Sequence, residues 1–99
     1  MTVDEARQIA LSMPESLEGE HHGHPDFRVG KSIFATLWPT QDRSVLRLPP
    51  ELAETLEKKN PETFKIVSRG GGMGWVSVSL PKADLEEFQT LMEVARQSL

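Results

Sequence analysis

The 99-residue chain contains no cysteine, which excludes disulfide staples, thiolate nucleophiles and every cysteine-based metal site. It has no apolar run approaching the roughly 20 residues that a membrane-crossing helix needs. Its start, MTVDEARQIA, has neither the basic region nor the apolar core of a signal peptide. A cytoplasmic protein with no membrane contact is the expectation. Basic residues are the minority, 11 against 15 acidic ones, for a net charge of -4. Composition therefore argues against a protein that coats itself in phosphate, because non-specific nucleic-acid affinity comes from lysine and arginine displacing counterions.

What is present fits one domain spanning residues 1–99, which at this length buries roughly 60 to 70% of its unfolded surface. Charge is distributed unevenly. Residues 27–48 hold Arg28, Lys31, Arg43 and Arg47 against Asp42, and residues 65–83 hold Lys65, Arg69 and Lys82 against no acid. Acid dominates the stretches before, between and after. Positive charge thus falls in the segments that read as strands, and negative charge in the helices and the first loop.

Thr2 and Glu5 have the spacing of a capping box, so a first helix starts after Thr2, carries Val3, Ala6, Ala10 and Met13 on one side and stops at Pro14. Strand patterns follow at 17–22, 27–29 and 32–38, with Gly30-Lys31 as a two-residue hairpin turn. A further strand at 44–48 comes after the turn Pro39-Thr40-Gln41-Asp42. Pro50 suits the first position of a second helix, with Leu52, Ala53 and Leu56 on its apolar side and Glu51, Glu54 and Glu57 facing water. Strands at 64–67 and 75–80 flank the loop SRGGGMG. A last helix carries Leu85, Phe88, Met92, Ala95 and Leu99 as its buried stripe, with Asp84 and Glu87 favouring its N-terminus. The order is helix, three or four strands, helix, two strands, helix. This implies an α+β fold with a mainly antiparallel sheet and three helices packed on one face.

The other face of such a sheet is partly open to water, and strand alternation says what lies there. If Val76, Val78 and Leu80 point to the core, Trp75, Ser77 and Ser79 point outward. By the same rule Arg28, Phe34, Thr36, Trp38 and Arg47 share the open face. Two tryptophans and two arginines on one surface suit the stacking of bases and neutralisation of phosphate. They equally suit a peptide or a second copy of the chain, since tryptophan and arginine are common interface anchors, or a covered sheet with arginine stems folded over the rings.

The motifs HPDFRVGKSIFATL, PPELAETL and RGGGMGWVSVSL, in this order and around a helix, make the chain resemble the MmcQ/YjbR family of small bacterial proteins. That resemblance implies a secretion-chaperone-like fold, a two-layer α-β(3)-α-β(2)-α arrangement. It implies the DNA-binding label such proteins often carry and brings no catalytic residues.

All three histidines lie in one segment, His21, His22 and His24, and imidazole nitrogen is a good ligand for zinc, nickel or copper. In a continuous strand His22 and His24 share a face and His21 points away. A metal centre needs further ligands and second partners for the rings, so polar residues before a proline turn are the preferred reading. The serines show no nucleophile motif, and a non-enzymatic domain without a cofactor follows. The loop Ser68 to Gly74 lacks the lysine-serine/threonine end of a P-loop and leads into a strand, so it reads as a flexible hairpin tip on which Arg69 could meet phosphate. The candidate partner-binding residues are Arg28, Lys31, Trp38, Arg47, Arg69 and Trp75. The candidate partners are DNA or single-stranded nucleic acid, a protein, or a second copy.

Overall fold

The computed structural model describes residues 1–99, apart from the side chain of His21. Its elements run α1 (Val3–Leu11), β1 (Leu17–His21), β2 (His24–Val29), β3 (Ser32–Trp38), β4 (Arg43–Leu48), α2 (Pro50–Lys59), β5 (Phe64–Gly70), β6 (Met73–Ser79) and α3 (Leu85–Gln97). Four strands precede α2. They join one six-stranded antiparallel sheet in the order β1-β2-β3-β4-β6-β5, which leaves β1 and β5 as edges. All three helices pack on one face, α1 and α3 against the β3–β4 region and α2 against β5 and β6.

Local chemistry sets most boundaries. The capping box of α1 is formed in both directions, Glu5 N–H to Thr2 Oγ1 at 3.1 Å and Thr2 N–H to Glu5 Oε1 at 2.8 Å. The helix ends at Leu11, before Pro14 is reached, with Ser12 as its C-cap. Asp84 caps α3 by accepting the Glu87 N–H at 2.9 Å. The β5–β6 hairpin is tighter than the sequence suggests. Both strands continue to the tip, and only Gly71 and Gly72 form the turn, with φ of 60° and 76°. That pair of positive angles is what a two-residue turn of right-handed twist requires and what glycine adopts without strain.

The core lies between sheet and helices and includes Phe27, Leu37, Leu46, Val76, Val78, Phe88 and Met92. On α3 the buried stripe is Phe88, Leu91, Met92 and Ala95. Leu85 and Leu99, expected within it, are 44% and 43% exposed. Leu85 is the first residue of α3, and Leu99 lies past its Ser98 cap. Glu57, expected to face water, accepts the N–H of Ile66 at 2.8 Å and ties α2 to β5.

Two register shifts interrupt the ladders. Between β2 and β3 the partner of Phe27 is Ala35 and the partner of Arg28 is Ile33, so Phe34 is an extra residue. Between β5 and β6 the partner of Ile66 is Val76 and the partner of Ser68 is Trp75, which leaves Val67 extra. Such bulges break the alternation of faces and bend the strand. Phe34, expected on the open face, is accordingly fully buried in the core cluster.

Candidate functional site

The face of the sheet turned away from the helices carries a groove of about 760 Å³. Its floor is one row of cross-strand neighbours, Thr36 on β3, Val45 on β4 and Ser77 on β6, paired Thr36 with Val45 and Val45 with Ser77. Trp38 and Trp75 stand two residues from this row in opposite directions. The two tryptophans that alternation placed on the open face therefore do share one surface, each half-buried. Lys65, Val67 and Ser68 form the β5 side, while His22, His24, Gln41 and Arg43 complete the opposite end.

The arginines expected beside those rings are engaged elsewhere. Arg28 makes a two-point ion pair with Asp26, Nε to Oδ1 at 2.9 Å and Nη2 to Oδ2 at 2.6 Å. Asp26 has no exposed surface, so the pair satisfies a buried carboxylate. The same hydrogen bonds hold the Arg28 guanidinium in its charged form, raising its pKa further. Gly19, the ladder partner of Asp26, makes room for this pair: a Cβ there would stand 2.8 Å from Asp26 Oδ1 and 2.9 Å from Arg28 Nη2.

Arg47 is taken by the end of α3. Its Nη1 donates to the Ser98 carbonyl at 2.6 Å and to Ser98 Oγ at 2.9 Å. The β3–β4 ladder runs only to Ala35–Leu46, next to the bulge at Phe34, and Arg47 lies just past it. Lys31 sits at the β2–β3 turn, at the far end of β3 from Trp38. Arg69 is exposed and pairs with Glu54 of α2 at 3.3 Å. None of these four lines the groove.

Arg43 and Lys65 supply its positive charge instead. Arg43 is the ladder partner of Trp38. Its guanidinium carbon lies 4.5 Å from the centre of the Trp38 ring, its Nε donates to Gln41 Oε1 at 2.7 Å, and its Nη1 donates to Ser77 Oγ at 3.3 Å. Lys65 is the ladder partner of Ser77 on the β5 edge. No aspartate or glutamate is among the described residues that line the groove. Sequence reading missed Arg43 because the strand was begun one residue late. Starting β4 at Arg43 puts it in the same parity as Val45 and Arg47.

His24 is buried and stacks on Trp38, the ring centres 3.7 Å apart at 29°. His22 lies in the β1–β2 turn with φ of 52°, next to Gly23 at 84°, and also lines the groove. Both histidines line this groove, His22 from the turn and His24 from β2, which begins three residues earlier than the expected strand at 27–29. The side chain of His21 lies outside the described residues. Among the described residues no group of three or more histidine, aspartate or glutamate side chains is placed to hold a metal, and no helix is long and apolar enough to cross a membrane.

A six-stranded antiparallel sheet with three helices on one face and an aromatic, cationic groove on the other defines the chain as an α+β protein with an open sheet surface. Residues 11–98 match the model of the YjbR family, and the chain belongs to that family. It is similar to the crystal structure of Deinococcus radiodurans protein DR2400, which carries a DUF419 domain, with 27% identity, a TM-score of 0.82, and coverage of 95% of this chain and 75% of that one. A search of curated proteins finds no match.

Proposed function

We propose that the chain is a non-enzymatic binding domain whose open sheet face takes single-stranded nucleic acid. The observation that carries this reading is the groove itself: among the described lining residues, two tryptophans and two cations with no acid, on a chain of net charge -4. Base stacking on an aromatic side chain contributes about 1 to 3 kcal/mol per base, and cations along the groove track the phosphates. A labelled single-stranded oligonucleotide should bind saturably at low salt and weaken as salt rises. Absence of binding at low salt overturns the reading.

The second reading is self-association or binding of an extended peptide, favoured by the two sheet edges. Leu17 on β1 is 61% exposed and Val67 on β5 is 53% exposed, beside backbone groups that an added strand can pair. The bulge at Val67 blunts the β5 edge, which leaves β1 as the better site. A mass in solution that rises with concentration supports this alternative; a monomer at all concentrations removes the self-pairing form of it.

A further inference from the structure

We infer that the groove is a site for one nucleotide: a single base stacks on Trp75, and its phosphate sits over Ser77 between Arg43 and Lys65. This rests on the nucleic-acid reading above and makes it specific. Trp38 has no free face to offer. It lies on β3, between β2 and β4; His24 covers it from the β2 side at 3.7 Å and Arg43 from the β4 side at 4.5 Å. Its indole N–H is also used, donated to Thr36 Oγ1 at 3.0 Å. Trp38 is therefore a wall that presents an edge. Trp75 has no ring or cation contact among the described residues, so it alone is left to stack.

The cations meet at one place. Arg43 donates to the Ser77 hydroxyl at 3.3 Å, and Lys65 faces Ser77 across the β5–β6 ladder, where opposed side chains start about 5 Å apart. Arg43 has spent two of its five N–H donors within the protein, which leaves three for an anion. Trp75 and Ser77 are two residues apart on one face of β6, a rise of about 7 Å. One nucleotide spans a ring and an anion site at that separation, its sugar lying over the apolar side chain of Val45. Beyond the cation pair, a hollow of about 190 Å³ shares Arg43, Lys65 and Ser77 but adds Glu62. A further phosphate placed there would meet a carboxylate. Among the described residues one uncovered tryptophan face and one cation pair give an occupancy of one.

Isothermal titration of the unaltered chain with cytidine 5′-monophosphate tests this. The expected result is saturable binding of one nucleotide per chain, with cytidine and inorganic phosphate each binding at least about tenfold more weakly, since each keeps only half of the contacts. Tryptophan fluorescence should be quenched over the same range. Trp75→Ala should weaken binding by about 5- to 100-fold with circular dichroism unchanged, and Trp75→Phe should retain most of it, which keeps the test intact if the alanine variant misfolds. A chain that binds oligonucleotide but not the mononucleotide overturns the single-nucleotide site and leaves the broader reading standing. A chain that binds neither overturns both. Stoichiometry above one, or full binding by folded Trp75→Ala, overturns the assignment of Trp75.

Discussion

Replacing Arg43 by alanine should change the salt dependence of oligonucleotide binding, whereas replacing Arg28 should leave it alone. Among the described residues the groove holds two cations, Arg43 and Lys65, and both close on one phosphate. One neutralised phosphate gives a slope of log affinity against log salt of roughly 0.7 for a single strand, so raising salt from about 50 to 200 mM should weaken binding about 2.6-fold. With Arg43→Ala only Lys65 faces that phosphate, and the slope should fall below about 0.7. Lys65→Ala should do the same. Arg28 is committed to the buried Asp26 carboxylate by bonds of 2.9 and 2.6 Å, and its loss should lower the melting temperature more than Arg43→Ala does. Fluorescence anisotropy at the two salt concentrations, with melting by circular dichroism on the same samples, separates the two roles. A folded Arg28→Ala protein with a reduced slope, or an Arg43→Ala protein with an unchanged one, refutes the assignment.

Two further outcomes concern stability. A Cβ on Gly74 would stand 2.7 Å from the Cβ of Ala53, so Gly74→Ala must push α2 off β6 at a cost of about 1 to 3 kcal/mol; a melting temperature within a degree or two of the unaltered chain contradicts this contact, and Ala53→Gly in the same chain should restore part of the loss. Hydrogen bonding to the Thr2 N–H lowers the pKa of Glu5 in the folded state; a folded pKa below the unfolded one gives stability that is present above the unfolded value and lost as pH falls through the folded one. Glu5→Gln should therefore flatten the acid limb of the stability curve, and an acid limb identical to that of the unaltered chain argues against the capping role.

The sequence made the architecture readable because its local signals agree with one another. The Thr2-Glu5 box, Pro50 at the start of α2, the Asp84 cap and the alternation along β6 each specify one element, and each element forms as they specify. The pair Trp38 and Trp75 was legible for the same reason, since alternation holds along the stretches that carry them. Phe34 was not, because alternation breaks at a bulge and nothing local in SIFATLW marks Phe34 as the extra residue. Arg47 keeps the expected parity, opposite Trp75 in the β4–β6 ladder, but Ser98, 51 residues away in sequence, holds its guanidinium. Arg28 failed differently. It was placed on the open face by alternation with Phe27, but the same alternation puts Asp26 beside it, and an ion pair between residues two apart in a strand depends on what covers them. Here Gly19 leaves the space, and that is a long-range fact. The first strand ends at His21, one residue before the expected bound, because two positive φ angles at His22 and Gly23 reverse the chain.

The proposed binding of a phosphate is compatible with the net charge because acid and base are segregated between the two layers. The acidic side chains of the helices, including Asp4, Glu5, Glu51, Glu54, Glu86, Glu87 and Glu93, are exposed on the layer that packs against one face of the sheet. The groove on the other face has two cations and no acid among its described lining residues. A polyanion approaching the helical layer is repelled and one approaching the groove is attracted, and at physiological salt the screening length of about 8 Å lets each face act largely by itself. On the proposed reading, a net charge of -4 suppresses non-specific coating while leaving one face open to a phosphate. The Arg47–Ser98 contact and the Val67 bulge sharpen that selectivity. With Arg47 held by Ser98 and Val67 set out at the groove's rim by its bulge, the described residues bring an uncovered tryptophan face and the Arg43–Lys65 pair together beside Ser77. Affinity should therefore depend on a short segment of the ligand and gain little from length.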